Sequence, residues 1–175
     1  MDEKIIIRKQ KYDDAEHCAK LNALVWKEAY KHIFPKQVFD NQQENISKKI
    51  QMFQSGINDE NIITYVAEIE GEIVGYFSGS LISQYSYFAD KGYADLLAIY
   101  IKPNCQGKGI ATQFKKIFVE WLNKHGKEMF VVGVLKKNKQ ARQVYEEWGG
   151  FLSDYEQCFK MLENEYSEVF YTYKV

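Results

Sequence analysis

The stretch from residue 93 to residue 135 constrains the fold more than any other. Tyr93 to Ile101 is nearly continuous in apolar residues from Leu96 onward, and Pro103 stops it. Such a run suits a strand covered on both faces. Gly107-Lys108-Gly109 then leads into a helix in which Ile110, Phe114, Ile117 and Trp121 line one face, with Gly126 where a C-cap belongs. Met129 to Leu135 reads as a second buried strand. Strand, helix, strand in this order predicts a parallel pair joined by a right-handed crossover.

The flanking segments fill in a mixed sheet. Ile5 to Arg8 reads as a short strand, and Asp13 followed by Glu16 has capping-box spacing. The helix they open carries Cys18, Leu21, Val25 and Ala29 as one stripe, with Trp26 and Tyr30 rotated off it. Pro35 breaks this region, and one polar helical stretch follows from Val38 to Phe53. Ile62 to Ile69 and Glu72 to Leu81, joined at Glu70-Gly71, predict an antiparallel hairpin. Ser83 to Gly92 is a polar, tyrosine-rich connection. Asn138 caps a helix carrying Ala141, Val144, Tyr145 and Trp148, closed by Gly149-Gly150, and the tail supplies two last strands. The expectation is one α/β domain over residues 1–175: an α+β sandwich around a mixed, mostly antiparallel sheet with one parallel pair.

Composition excludes several classes. With 23 basic and 24 acidic residues there is no cationic excess for a nucleic-acid backbone. Apolar runs of a few residues fall far short of the ~20 needed to span a membrane. Met1-Asp2-Glu3-Lys4 is charged and lacks a signal peptide's apolar core, so a cytoplasmic protein is expected. Three cysteines without a short-spaced pair and three scattered histidines suggest neither a disulfide framework nor a metal site.

The chemistry concentrates at Leu96 to Thr112. A buried strand, a tight turn with two glycines and a helix start aim unpaired backbone N–H groups at an anion, and glycine removes the Cβ from the approach. A phosphorylated guest is expected. Neither familiar nucleotide loop fits. The Walker spacing is absent, and the dinucleotide fingerprint meets Thr112 where its third glycine belongs.

Gln106-Gly107-Lys108-Gly109-Ile110-Ala111 resembles the Gln/Arg-x-x-Gly-x-Gly/Ala signature of the GNAT superfamily of N-acetyltransferases. A strand ending Ile-Tyr-Ile-Lys-Pro precedes it, and Asn138-x-x-Ala141-x-x-x-Tyr145-x-x-x-Gly149-Gly150-Phe151 resembles that family's second motif. More thinly, Trp26 to Tyr30 with Phe34-Pro35 is similar to bacterial members that acetylate polyamines and small amines. The resemblance implies an acyl-CoA fold whose parallel strands splay, with helices on both sheet faces, and acetyl-CoA as co-substrate without a metal.

It also implies roles. Ile99, Tyr100 and Ile101 would hold pantetheine through their main chain, one of their N–H groups polarising the thioester carbonyl. Gln106, Gly107, Lys108, Gly109, Ile110, Ala111 and Thr112 would hold pyrophosphate, and Asn138 would touch CoA besides capping its helix. Tyr145 would be the general acid for the departing thiolate, a group of pKa ~8.5. A primary amine of pKa ~10.4 costs up to ~4.6 kcal/mol to deprotonate at neutral pH. Asp95, expected on one face with Leu97 and Ile99, would draw that proton or anchor the amine, against the plainer reading of a solvated strand-end carboxylate. Trp26 and Tyr30 would wall the acceptor pocket, or simply edge the core.

The function expected is acetyl transfer to a primary amine, of a polyamine, other small molecule or peptide, by direct attack in a ternary complex. The alternative is an acyl-CoA-binding sensor without turnover. Monomer and homodimer both stay open.

Overall fold

A computed structural model describes residues 4–175; Met1, Asp2 and Glu3 of the charged N-terminal tetrapeptide lie outside the described residues. The elements run β1 (Ile5–Lys9), α1 (Ala15–Tyr30), α2 (Lys36–Glu44), α3 (Ile46–Gly56), β2 (Ile62–Ile69), β3 (Glu72–Ser80), the short α4 (Ser86–Ala89), β4 (Ala94–Ile101), α5 (Ile110–Lys124), β5 (Met129–Leu135), α6 (Lys139–Glu147), β6 (Phe151–Met161) and β7 (Asn164–Lys174). One seven-stranded sheet has the order β1-β2-β3-β4-β5-β7-β6. Every neighbouring pair is antiparallel except β4 and β5, the strands expected to be parallel. The β2–β3 hairpin turns at Glu70 and Gly71, both with positive φ (50° and 83°), a backbone that matches the twist of the strands it joins.

Helices cover the two faces. The larger core packs α5 against the sheet through Phe77, Phe114, Phe118, Leu122 and Phe130. On the other face Cys18, Leu21 and Val25 of α1 meet Val66 and Tyr76, and the buried Asn22 donates to the Tyr76 hydroxyl at 2.7 Å.

Four local expectations are corrected. The buried stripe of α5 is Ile110, Phe114, Phe118 and Leu122, with Ile117 and Trp121 only half-buried. Gly79 explains the rotation: a Cβ there would lie 2.2 Å from the Phe118 ring, so the missing side chain is what lets that ring seat against β3. The N-cap position of α1 is Asp14 rather than Asp13, and its side chain does not cap the helix but closes the turn before it. Its carboxylate accepts from the Lys11 N–H at 2.7 Å and from both terminal nitrogens of Arg8 at 2.6 and 3.0 Å, a bidentate arrangement. Ala29 is exposed rather than part of the α1 stripe, because the sheet parts beneath the end of that helix. The stretch from Val38 to Phe53 is two helices, broken at Asn45, whose amide folds back onto the Asn41 carbonyl at 2.8 Å.

Candidate active site

The site starts from an irregularity in β4. Ser78 of β3 faces Ala98, yet the next residue, Gly79, faces Leu96. Leu97 is therefore the extra residue of a β-bulge, which bends the strand and exchanges its faces. Leu96, Ile99 and Ile101 consequently face the α5 core, while Ala98 and Tyr100 face α1. The expectation that Asp95, Leu97 and Ile99 share a face fails here, for it assumed an unbroken alternation.

Just past this point the parallel strands part. They pair only at Ala94 with Phe130 and Asp95 with Val131. Between them opens a cleft of about 560 Å³, walled by residues 96–101 of β4 and 132–134 of β5. At its mouth stand Gln106, Gly107, Gly109, Ile110, Ala111 and Thr112; Asn138, Ala141, Val144 and Tyr145 close the far side. Of the residues expected to hold the co-substrate, all but Lys108 line this one cleft. Lys108 is exposed beside the mouth.

The mouth is made by backbone conformation. Gly107 and Gly109 have φ of 75° and 79°, and a Cβ at either would meet nothing within 4 Å. Glycine is thus required by the left-handed backbone, not by crowding. Gln106 donates to the Ile101 carbonyl at 3.2 Å, tying the loop back to β4. The α5 helix starts directly after Gly109. Its first-turn N–H groups and positive dipole end make the mouth an anion site.

Deeper in, the Asn138 side chain accepts the Ala141 N–H at 3.1 Å, so it caps α6 as its position predicts. Tyr145 is 9% exposed and its hydroxyl bonds to no described residue. Burial pushes that phenol well above its ordinary pKa, so it remains an O–H donor at neutral pH. The Tyr173 hydroxyl donates to the Tyr145 carbonyl at 2.8 Å. Gly150 permits this, since a Cβ there would sit 2.7 Å from the Tyr173 ring and hydroxyl. Tyr30 enters the same cleft from α1, its hydroxyl facing the side chains of Asn138 and Tyr100.

Comparison with known proteins decides the family. The model of the Acetyltransferase (GNAT) family matches residues 12–151, most of the chain. The chain belongs to that family. An uncharacterized N-acetyltransferase of Methanocaldococcus jannaschii is 33% identical over 86 residues, a match spanning 49% of this chain and about half the length of that relative (50%). The PaiA N-acetyltransferase of Thermoplasma acidophilum, solved in complex with coenzyme A, superposes with a TM-score of 0.79 at 19% identity, covering 98% of this chain and 99% of that one. An acetyltransferase of the GNAT family from Streptococcus pneumoniae gives 0.71 at 19% identity over 98% and 99%. These likenesses show the shared fold.

The opposite face of this GNAT chain carries a second cavity of about 520 Å³, whose lining includes Asn22, Trp26, Lys49, Tyr76 and Gln84. It shares Leu97, Ala98 and Tyr100 with the first, so the two cavities meet at the bulge. Trp26 and Tyr30, expected to wall one pocket, divide between the two. Asp95 lines neither. It is 0% exposed, which overturns the solvated strand-end reading. Its Oδ2 accepts from the Ser83 hydroxyl (3.0 Å) and the Gln84 N–H (3.1 Å), whereas its Oδ1 has no partner. Burial pushes its carboxyl up to about 6, against the pull of those two bonds.

One group went unnoticed in the sequence: Glu168 of β7, which accepts from the Tyr85 hydroxyl at 2.9 Å and from the Gln157 amide at 2.8 Å. The available signal was Gly133, a lone glycine inside a strand and a mark of close approach. A Cβ there would lie 2.5 Å from the Tyr85 hydroxyl and 2.7 Å from Glu168 Oε1. Among the described residues no three His, Cys, Asp or Glu gather as a metal site, and no helix is long and apolar enough to cross a membrane.

Proposed function

We propose that this chain transfers the acetyl group of acetyl-CoA to a primary amine by direct attack in a ternary complex, its 175 residues working as one catalytic unit. The observation that carries the reading is the single cleft joining a glycine-built anion mouth to a strand gap with a phenol at its far side. Family membership supports it, as does the coenzyme A held by the Thermoplasma acidophilum neighbour.

In this reading the N–H groups of the first α5 turn take the pyrophosphate, and Ile99 to Ile101 offer main-chain groups to the pantetheine arm. The bulge at Leu97 loosens the β4 ladder locally, so an N–H of that strand can polarise the thioester carbonyl as its oxygen gains charge. Tyr145 gives a proton to the CoA sulfur as the carbon–sulfur bond breaks. The acceptor enters from the cavity on the α1 side and meets the thioester at the bulge. Cys105 reaches the cleft but has no base beside it, only the Asn104 amide oxygen at 3.5 Å, which favours direct attack over an acyl-enzyme. One chain supplies the whole cleft, so a monomer and a homodimer would turn over alike.

The test is release of the CoA thiol from acetyl-CoA by purified protein, against pooled polyamines, amino acids, aminoglycosides and peptides. Release above the acceptor-free blank is expected. Binding of acetyl-CoA without release from any pool would favour a sensor.

A further inference from the structure

Two carboxylates behind the cleft wall, Glu168 against Gly133 and Asp95 at the start of the β4–β5 gap, line neither cavity and are balanced by no cation among the described residues. Neither Glu168 nor Asp95 makes an ion pair among the described residues. The two carboxylates repel each other electrostatically across the start of the β4–β5 gap. Asp95 Oδ1 is wholly buried and unpartnered, an arrangement that costs free energy unless something positive comes near. Lys49, the cation of the second cavity, belongs to its α3 wall and pairs with neither.

Glu168 is held with care. Tyr85 fixes one oxygen and Gln157 the other, leaving each a lone pair. The Tyr85–Glu168 pair rests directly on Gly133, a wall residue of the cleft, and any side chain there would displace it. Tyr30, from the same cleft, feels the Glu168 charge. The surroundings are thus a fixed carboxylate, a second negative charge behind it, and the phenols of Tyr85 and Tyr30.

We propose that Glu168 receives the acceptor as an alkylammonium ion, with Tyr85 and Gln157 as its positioning residues and Asp95 as the charge behind it. The inference rests on the transfer reading above and narrows it to basic alkylamines, as opposed to arylamines that are neutral near neutral pH. In the step, one ammonium proton passes to a Glu168 oxygen, and the freed nitrogen lone pair forms the C–N bond. The C–S bond then breaks as Tyr145 protonates the sulfur, and the second nitrogen proton, released through water as the amide forms, restores the Tyr145 hydroxyl. Glu168 returns its proton to solvent.

The test compares wild type, Glu168→Gln, Glu168→Asp and Tyr85→Phe for kcat and KM on a series of primary alkylamines, and for acetyl-CoA affinity by calorimetry. Glu168→Gln should lower kcat/KM at least about 30-fold, through KM because the ammonium loses its charge partner and through kcat because no carboxylate takes its proton. Acetyl-CoA affinity should stay within about twofold, since anion binding lies at the far mouth. Glu168→Asp should recover part of the loss, and Tyr85→Phe should cost about five- to tenfold. A Glu168→Gln enzyme within about threefold of wild type on every alkylamine overturns the inference and leaves the transfer reading standing. Equal losses in amine and acetyl-CoA affinity also overturn it, marking Glu168 as structural. A wild type that binds acetyl-CoA but transfers to no amine overturns both.

Discussion

The two sides of β4 are built by different means. The α5 side is built from backbone: two left-handed glycines, a helix start and a splayed strand pair, all within residues 94–135. The α1 side is built from side chains gathered across the chain: Asn22 and Trp26 from α1, Lys49 from α3, Tyr76 from β3 and Gln84 from the connection before β4 line its cavity, with Asp95 and Glu168 buried or held behind it. Backbone recognition needs particular φ values at consecutive positions and leaves a local imprint in the sequence. Side-chain recognition needs only convergence in space. This difference fits a protein whose co-substrate is fixed by family and whose acceptor is its own.

The sharpest way to break the comparison is at Tyr145, the donor assigned to the α5 side. Tyr145→Phe should lower kcat by roughly 10²–10⁴-fold, the usual worth of a positioned acid, with acetyl-CoA affinity unchanged. Rapid-quench rates beside a binding titration would check this, and an unchanged kcat would remove Tyr145 from the mechanism.

A smaller effect tests the α1 side through stability. Asp95 has a folded-state pKa pushed up to about 6 from 3.8, so between those values the folded chain binds the extra proton. Stability is therefore fully present below pH 3.8 and falls as pH rises through about 6. Asp95→Asn should remove that fall, gaining up to about 3 kcal/mol above pH 6 and nothing near pH 4. Urea melts across this range would show it. Parallel stability profiles for the two proteins would mean that Asp95 is not held in a costly charged state.

Much of the fold was legible. The parallel pair, the hairpin turn, the Asn138 cap and the glycine mouth rest on short-range rules that packing does not override. What stayed hidden depended on partners elsewhere. The face of α5 was rotated by the space Gly79 leaves for Phe118, and Asp14, held by Arg8 from β1, closes the turn before α1 without capping it. The Leu97 bulge moved Asp95 off the face of Ile99, and no alternation pattern reveals an extra residue in a uniformly apolar strand. Away from the glycine mouth, Trp26 and Asp95 stood out as residue types, while Glu168 was one glutamate among many until Gly133 placed it.

The division itself is tested most directly by titrating acetyl-CoA into wild type, Gly109→Val and Glu168→Gln. Valine at a φ of 79° is strained by about 1–3 kcal/mol at the anion mouth, so its Kd should rise about tenfold or more. The Kd of Glu168→Gln should remain within about twofold of wild type. Three equal affinities, or a Glu168→Gln loss matching that of Gly109→Val, would contradict a co-substrate site made of backbone and an acceptor site made of side chains.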